Sequence, residues 1–361
     1  MKAVVLVGGE GTRLRPLTYT TPKQLLPIVE VPMLARVLGS LARHGVDEAV
    51  LSLGYRPDAF LAAFPSGTLA GVRLSYAVEQ YPLDTAGAIR FAAGQADLAG
   101  TFVVVNGDVL TDLDVSALLE FHRSKGSLAT ISVVPVHDPS RFGVVRAGPD
   151  GRVEAFLEKP SPEEGAGSCI NAGTYVIEPS VLERIPAGRP VSVERETFPA
   201  LASEGALYAL RSDDYWVDTG TPEAYLRANT DLIAGHRGVP PAPGAKEASP
   251  GVWVQGQATM RGAFDPPSYV GTGALIESGA RVGGSVVGAG AVVEEGARVE
   301  GSVLLSGARV AAAAVVIHSV VGHRALVGRG AEVTRGSVVG DDAVVEDGSH
   351  LAEGRVPAFV P

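Results

Sequence analysis

The chain has 361 residues, of which 46% are hydrophobic and 19% charged, so it can bury a sizeable core and should form about two domains. Its formal net charge of −10 argues against non-specific binding to nucleic acid or to a membrane surface. The single cysteine, Cys169, excludes an internal disulfide and a cysteine-based zinc site. Because no charged leader precedes a long apolar core and no apolar run reaches membrane-spanning length, we expect a cytoplasmic protein.

An apolar strand is predicted over Ala3–Val7, and Gly8–Lys23 follows it directly with the sequence GGEGTRLRPLTYTTPK. A strand that breaks into glycines exposes backbone N–H groups, and cations close behind them indicate a polyphosphate ligand. Glycines let the backbone approach such a ligand because they carry no Cβ. These glycines are Gly8, Gly9 and Gly11. The nearby cations are Arg13, Arg15 and Lys23.

The spacing of this segment excludes two common phosphate-binding motifs. No lysine follows Gly11 as a P-loop requires, and Leu14 stands where a dinucleotide fingerprint has its third glycine. A Gly-x-Gly alone is most often an ordinary strand-to-helix turn. The full run, with its arginine, proline and lysine spacing, is much more specific.

Residues 1–234 alternate apolar strands with amphipathic helices, which predicts an α/β domain with a largely parallel sheet. Further strands are predicted over Glu48–Leu53, Arg73–Tyr76, Thr101–Val105 and Ala129–Val134, and helices over Pro32–His44 and Val115–Ser124. Ligands of such sheets bind beyond the carboxyl ends of the strands. We therefore expect the loop after Val7 and the turn Asn106–Asp108 to lie close together.

Two aspartates are candidate Mg²⁺ ligands. Asp108 follows a predicted strand in an Asn-Gly-Asp turn, and Asp218 lies in YWVDTGTP, before a helix predicted from Pro222. A carboxylate that faces a phosphate-binding loop is a natural ligand of Mg²⁺. Either aspartate could instead cap a turn or a helix. Because two carboxylates beside a phosphate loop could hold one ion, we predict the metal role for both.

Three further motifs are suited to a hydroxylated, phosphorylated ligand. Gly143 opens a predicted strand and permits close approach. Glu158 could accept hydrogen bonds from hydroxyl groups while Lys159 pairs with a phosphate, although the dipeptide alone is better explained as a solvated ion pair. Asn171 can both donate and accept, as sugar hydroxyls require, or it could be a turn residue.

The segment 235–251 is rich in proline, glycine and alanine and is predicted to be a linker. From residue 252 to 361 aliphatic residues recur every six positions, which is typical of a hexapeptide repeat that forms a triangular β-coil. The aliphatic residues should point inward and stack between coils. The predicted inward positions form three runs: Val270, Ile276 and Val282; Val287, Val293, Val299, Leu305, Ala311 and Ile317; and Val321, Val327, Val333, Val339, Val345 and Leu351.

Two histidines, His318 and His323, lie at a break in this repeat. A histidine serves as the base in hexapeptide acyltransferases. A solvated corner is the simpler interpretation here.

These segments, taken in order, resemble the sugar-1-phosphate nucleotidyltransferases, or NDP-sugar pyrophosphorylases, over nearly the whole chain, and within that family the branch that forms GDP-mannose. The motifs that carry the resemblance are Gly8–Lys23, Asn106–Asp108, Phe142–Val145, Glu158–Pro160, Asn171–Gly173, Ser192–Pro199 and Trp216–Pro222. The resemblance implies a Rossmann-like nucleotidyltransferase domain over 1–234 and a left-handed parallel β-helix over 252–361. Homo-oligomers, either dimers or tetramers, are common in the family.

The resemblance also implies a reaction. A sugar 1-phosphate attacks the α-phosphorus of an NTP in line, and pyrophosphate leaves. The implied catalytic residues are Arg13 and Lys23, which would stabilise the phosphates, and Asp108 and Asp218, which would hold Mg²⁺. The implied nucleotide-binding residues are Leu6, Gly8, Gly9, Gly11, Thr12, Arg13, Lys23, Glu79 and Asp108. The implied sugar-phosphate-binding residues are Gly143, Glu158, Lys159 and Asn171.

The resemblance further implies that the choice of base depends on Glu79, which aligns with the family position that reads the base. A carboxylate can accept two hydrogen bonds from the N1–H and N2–H₂ edge of guanine, whereas uracil and thymine offer one such donor. This favours GTP, and the resemblance implies mannose 1-phosphate as the sugar. The chain departs from the family nearby, because Asp84 replaces the glycine of a Leu-Gly-Thr-Ala-Gly motif.

Three other functions are compatible with the sequence. Glucose 1-phosphate could react with UTP or dTTP by the same chemistry. The chain could be a non-catalytic regulatory subunit, although its glycine-rich loop is intact. The β-helix could add acyltransferase activity, although no basic acceptor site is evident.

Overall fold

The computed structural model describes residues 1–54, 56–136, 138–139, 142–158 and 169–357. The chain divides into two compact units. The first comprises Met1–Gly9 and Leu34–Trp216, and the second comprises Glu10–Met33 and Val217–Pro361. The predicted boundaries of the domains and the linker stay predictions.

The first unit is built on a mixed sheet that has ten strands within the described residues. Eight strands follow one another across the sheet: Val153–Glu158, Gly143–Ala147, Cys169–Ile177, Phe102–Asn106, Lys2–Leu6, Glu48–Leu53, Val72–Val78 and Thr68–Leu69. Ala129–Pro135 pairs with Cys169–Ile177, and Leu207–Arg211 pairs with Ala129–Pro135.

The strand Lys2–Leu6 lies at the centre of this sheet, with parallel neighbours on both sides. Its Ala3, Val4 and Val5 are fully buried, as a continuous apolar run predicts for a strand covered on both faces. The prediction of a largely parallel sheet is wrong for the other half. There Cys169–Ile177 runs antiparallel to each of its neighbours.

The helix Val115–Lys125 has an identifiable cap at each end. Asp114 accepts hydrogen bonds from the backbone N–H groups of Ser116 and Ala117, and the helix it caps ends at Gly126, whose φ is 58°. The α-helices of the described chain are Met33–Arg43, Pro57–Ala63, Asp84–Gln95, Val115–Lys125, Pro179–Leu182, Phe198–Ser203 and Pro222–Ile233. A π-helical turn covers Val193–Thr197, and short strands cover Val109–Thr111 and Trp216–Asp218.

The turn after the strand Phe102–Asn106 packs on the end of the first strand, as expected. Leu6 is in register with Asn106, and the Gly107 N–H donates to the Leu6 carbonyl oxygen at 2.9 Å. A Cβ on Gly107 would lie 2.6 Å from Val7 Cγ1 and 3.0 Å from that carbonyl oxygen. Any larger residue would force the Val7 side chain or the Leu6 backbone to shift.

In the second unit, Glu10–Met33 contains only short elements. It has three 3-10 turns, Thr12–Leu14, Leu17–Tyr19 and Lys23–Leu25, and a hairpin of Pro27–Ile28 with Val31–Pro32. The helix Pro222–Ile233 begins as predicted, and the Thr221 hydroxyl accepts from the Ala224 N–H at 3.2 Å.

The rest of the second unit is a parallel β-helix with three sheets in the described chain. The first sheet contains Ala245–Ser249, Val252–Gln255, Ser268–Val270, Val286–Val287, Val303–Leu304, Val320–Val321, Val338–Val339 and Arg355–Val356. The second contains Thr259–Met260, Leu275–Ile276, Val292–Val293, Arg309–Val310, Leu326–Val327 and Val344–Val345. The third contains Ala263–Asp265, Arg281–Gly283, Arg298–Glu300, Val315–Ile317, Glu332–Thr334 and His350–Ala352. All neighbours are parallel except Ala245–Ser249, which lies in the segment predicted as linker and pairs antiparallel with Val252–Gln255.

The predicted stacking of aliphatic residues is confirmed for most coils and wrong by one position in one. The buried core contains Leu304, Val310 and Val316 rather than the predicted Leu305, Ala311 and Ile317. The reason is that one side of each of these coils is five residues long instead of six. The short sides run from Val282 to Val287, from Val299 to Leu304 and from Val316 to Val321. His318 lies at an exposed turn with a φ of 45°, which agrees with a solvated corner.

Gly107→Ala is expected to lower the free energy of unfolding by about 1–3 kcal/mol, because its Cβ would press on Val7 and on the Leu6 backbone. Gly94→Ala is the matched control. Nothing lies within 4 Å of a Cβ there, and alanine is the better helix former. Chemical denaturation measures both variants, and equal stabilities would contradict the close packing at Gly107.

Candidate active site

The phosphate loop begins in the first unit, where its backbone lies against a neighbouring strand end. A Cβ on Gly54, just after the strand Glu48–Leu53, would lie 3.3 Å from the Gly8 carbonyl oxygen. Gly8 and Gly9 are exposed, and Leu6 is half-buried. The start of the loop therefore offers accessible backbone groups at the carboxyl edge of the sheet.

In the second unit, the loop folds back on itself around Gly11. This glycine has a φ of 64°, and its carbonyl oxygen accepts from the Thr18 hydroxyl at 2.9 Å. A Cβ on Gly11 would lie 3.0 Å from Thr18 Cγ2 and 3.1 Å from Lys23 Cβ. The fold thus brings Lys23 against the glycine, while Thr12 is exposed at the start of the first 3-10 turn.

Arg13 and Asp218 come together around Gly220. The Gly220 N–H donates to Asp218 Oδ1 at 2.9 Å, which orients the carboxylate. A Cβ on Gly220 would lie 2.9 Å from that oxygen and 2.8 Å from Arg13 Nη2. The Arg13 guanidinium and the Asp218 carboxylate therefore both pack against Gly220. This arrangement is suited to a phosphate and its counterion.

Arg15 has a different environment from Arg13. Its Nη2 donates to Glu10 at 2.9 Å, and its guanidinium lies 5.5 Å from the centre of the Tyr19 ring. Glu10 thus offsets its charge, and Arg15 stabilises the shape of the loop.

The two predicted metal ligands, Asp108 and Asp218, are both half-buried. Among the described residues no group of three or more His, Cys, Asp or Glu side chains is placed to hold a metal ion. A carboxylate is a ligand that suits Mg²⁺, which commonly takes its remaining ligands from substrate phosphates and water.

The base-reading candidate, Glu79, is held in place by two donors. The Ser52 hydroxyl donates to Oε1 at 3.0 Å, and the Leu83 N–H donates to Oε2 at 3.1 Å. Glu79 lies in a pocket of about 410 Å³ that is also lined by Tyr81 and Phe91. Each carboxylate oxygen keeps acceptor capacity for a ligand.

Asp84, the departure from the family motif, has a φ of 57°. This left-handed conformation explains a glycine at that position, and aspartate tolerates it better than most residues. Its carboxylate accepts from the Thr85 N–H at 2.7 Å. Asp84 therefore adds a negative charge next to Leu83, which lines the pocket.

Sequence analysis missed the residues that support this helix start. The Thr85 hydroxyl donates to Glu194 Oε2 at 2.9 Å and accepts from the Val193 N–H at 2.7 Å. The Ser192 hydroxyl also donates to Glu194, at 3.1 Å. The motif Ser192–Pro199 was the available signal, but its role becomes evident only from these contacts.

The sugar-binding candidates lie on adjacent antiparallel strands. Val144 pairs with Ile170, so Gly143 and Asn171 occupy the next position of that pair, and Gly143 also pairs with Glu158. Asn171 Nδ2 donates to the Tyr175 hydroxyl at 2.9 Å, and its Oδ1 accepts from the Gly173 N–H at 3.1 Å. Lys159 and the side chain of Glu158 lie outside the described residues.

The chain matches the Nucleotidyl transferase family over residues 2–235 and the GMPPB C-terminal domain over residues 264–359. It therefore belongs to the nucleotidyl transferase family, whose members generally use a divalent metal ion. The predicted fold class, a Rossmann-like domain followed by a β-helix, is confirmed. In the described part of the chain, no helix has the length and apolar character to cross a membrane.

Two proteins of known name and one solved structure are similar to this chain. The chain is 42% identical over 292 residues to mannose-1-phosphate guanylyltransferase of Mycobacterium tuberculosis, which covers 78% of this chain and 80% of that protein. It is 38% identical, with the same coverage, to mannose-1-phosphate guanylyltransferase 1 of Arabidopsis thaliana. The structure of HddC from Yersinia pseudotuberculosis complexed with GMP-PN is similar at 31% identity and a TM-score of 0.55, over 64% of this chain and 99% of HddC.

Gly220→Ala is expected to slow nucleotidyl transfer by about ten- to a hundredfold, because its Cβ would displace Arg13 Nη2 and Asp218 Oδ1. Stability should change little, since Arg13 can swing away. Gly100→Ala, where nothing lies within 4 Å of a Cβ, is the control. Steady-state kinetics and thermal unfolding test both variants. An unchanged rate in Gly220→Ala would mean that Arg13 and Asp218 do not act from these positions.

Proposed function

We propose that the chain joins mannose 1-phosphate to GTP and releases GDP-mannose and pyrophosphate. An oxygen of the sugar phosphate attacks the α-phosphorus of GTP, and the bond from that phosphorus to the bridging oxygen of the β-phosphate breaks. The observation that carries the proposal is the 42% identity to a mannose-1-phosphate guanylyltransferase over both parts of the chain, together with an intact cationic loop. We also propose a cytoplasmic homo-oligomer.

The triphosphate would be held by the loop that begins at Gly8. Its backbone N–H groups and the side chains of Arg13 and Lys23 supply positive potential where pyrophosphate leaves. Lys23 packs on Gly11, so its position depends on the fold of the loop. Arg15 pairs with Glu10, and we assign the phosphate role to Arg13 and Lys23.

Asp108 and Asp218 would hold Mg²⁺. When bound, the ion supplies neutralisation of charge on the phosphate oxygens. Asp218 is oriented by the Gly220 N–H, which donates to its Oδ1. Carboxylate ligands suit a hard divalent cation.

The sugar phosphate would be held by Lys159 at its phosphate and by Gly143, Glu158 and Asn171 at its ring. The amide of Asn171 uses one N–H on Tyr175 and one lone pair on Gly173. It keeps one donor and one acceptor for a sugar hydroxyl.

Glu79 would read guanine. Ser52 and Leu83 fix the carboxylate, and its remaining lone pairs can accept from the N1–H and N2–H₂ of the base. Uracil and thymine would present a carbonyl oxygen to this anion. The related HddC structure was solved with GMP-PN, a ligand that supports a guanine nucleotide on this fold.

Asp108→Asn and Asp218→Asn are each expected to reduce Mg²⁺-dependent pyrophosphate release by at least about a hundredfold, because a neutral amide is a poor ligand of Mg²⁺. Asp213→Asn, at an exposed aspartate paired with Arg211, is the control. Circular dichroism checks that the variants are folded. Wild-type turnover by either variant would remove that residue from the metal site.

Glu79→Gln is expected to lower the ratio of kcat/KM for GTP to that for UTP by about tenfold or more. The reason is that one of the two side-chain oxygens that accept from guanine is replaced by an NH₂ donor. Pyrophosphate release is measured with four NTPs, each with mannose 1-phosphate and glucose 1-phosphate. The exposed Glu120→Gln is the control. Wild-type preference for UTP or dTTP would overturn the proposed substrate, and an unchanged ratio in Glu79→Gln would overturn the role of Glu79.

A further inference from the structure

The segment Glu10–Met33, called here the loop segment, carries Arg13 and Lys23 and belongs to the same compact unit as the β-helix. One contact between them is a charged hydrogen bond. The Thr20 hydroxyl donates to Asp341 Oδ2 at 2.7 Å, and Asp341 Oδ1 accepts from the His323 N–H at 2.8 Å. Asp341 therefore ties the loop segment to two successive coils.

An apolar contact lies beside this hydrogen bond. A Cβ on Gly340 would lie 3.1 Å from both Cβ and Cγ of Pro16, so the proline ring rests on the glycine backbone. Pro16 and Thr20 both lie between Arg13 and Lys23 in the sequence. The part of the loop segment that separates the two cations thus contacts the β-helix directly.

The loop segment is also held near its other end. Val29 and Glu30 have φ values of 45° and 65° and form the two-residue turn of the hairpin. A β-branched residue is strained in this conformation, which persists only where the surroundings impose it. The buried Asn229 accepts from the Val29 N–H, and Glu30 accepts from the Ala289 N–H of the β-helix, both at 2.8 Å.

We propose that Asp341 is a positioning residue for nucleotidyl transfer and that, through Thr20, it sets where Arg13 and Lys23 stand. The inference rests on the proposed function of those two cations. Between Arg13 and Lys23 the loop segment contains only single-turn 3-10 elements, so contacts with the β-helix contribute to its path there. A displacement of about 1 Å at a phosphate-binding cation is enough to slow the reaction strongly.

Asp347 provides a matched control within the same domain. Its Oδ1 accepts from the Arg329 N–H at 2.7 Å, the same bond between successive coils that Asp341 makes with His323. Asp347→Ala therefore removes the coil-to-coil hydrogen bond but not the bond to Thr20. Asp341→Ala removes both.

The experiment compares these variants in the full-length protein with Thr20→Val and Thr20→Ser. We expect Asp341→Ala and Thr20→Val to lower kcat/KM for the NTP about tenfold and to leave KM for the sugar 1-phosphate unchanged. Thr20→Ser keeps the hydroxyl and should recover wild-type kinetics. Asp347→Ala should show wild-type kinetics despite a loss of melting temperature similar to that of Asp341→Ala.

Hydrogen exchange of peptides from residues 10–33 is measured in parallel without substrate. Faster exchange there in Asp341→Ala, but not in Asp347→Ala, supports the proposal. Equal exchange or equal kcat/KM in the two variants would overturn it. If wild-type protein prefers another NTP, the kinetics are run with that NTP, so failure of the proposed substrate and failure of the positioning role give different results.

Discussion

A triphosphate carries concentrated negative charge that backbone N–H groups and cations must neutralise. Backbone N–H groups are most available where they are not already used in the hydrogen bonds of a helix or a sheet. The loop segment has this character. It contains three short 3-10 turns and a hairpin closed by a strained turn. Its path is fixed by partners elsewhere in the second unit, Asn229, Ala289 and Asp341 among them. Burial raises the pKa of Tyr225, which keeps its hydroxyl protonated as a donor to the Pro27 carbonyl oxygen of the same segment.

Three polar side chains that we propose as ligand-binding are oriented by the same kind of local hydrogen bond. Asn171 accepts from the N–H of Gly173, and Asp218 accepts from that of Gly220, in each case two residues further on. Glu79 accepts from the Leu83 N–H in a similar way. Such short-range bonds orient the oxygen that accepts them. Two of the three donors are glycines beside which a Cβ would crowd Asn106 or Arg13, so close packing and orientation are obtained together.

The sequence predicts those features that a local pattern determines. Alternating strands and helices, the glycines at Gly8 and Gly11, and the aliphatic stacking of the β-helix all follow from spacing. Predictions from the sequence are wrong where the spacing of apolar residues is ambiguous. Leu304 and Leu305 are both apolar, so a five-residue side cannot be told from a six-residue one. Strand direction fails for a similar reason, because Cys169–Ile177 is largely buried and has the composition of a parallel strand. The contact of Thr20 with Asp341 joins polar residues 321 positions apart, and no local pattern predicts it.

The regular structure of the β-helix explains why Asp341 can hold Thr20 in a fixed position. Its coils repeat the same backbone, so Asp341 and Asp347 make the same hydrogen bond to the preceding coil. Valines stack inside, and buried serines join successive coils, with Ser302 accepting from the Ser319 N–H and Ser285 from that of Ser302. A stack with so many repeated bonds has little freedom to deform. Asp341 and Asp347 are equivalent in the β-helix, but Asp341 also has a second oxygen that accepts from Thr20. Through this bond the rigid coil holds the loop segment, so one position of a structural repeat also serves the proposed active site.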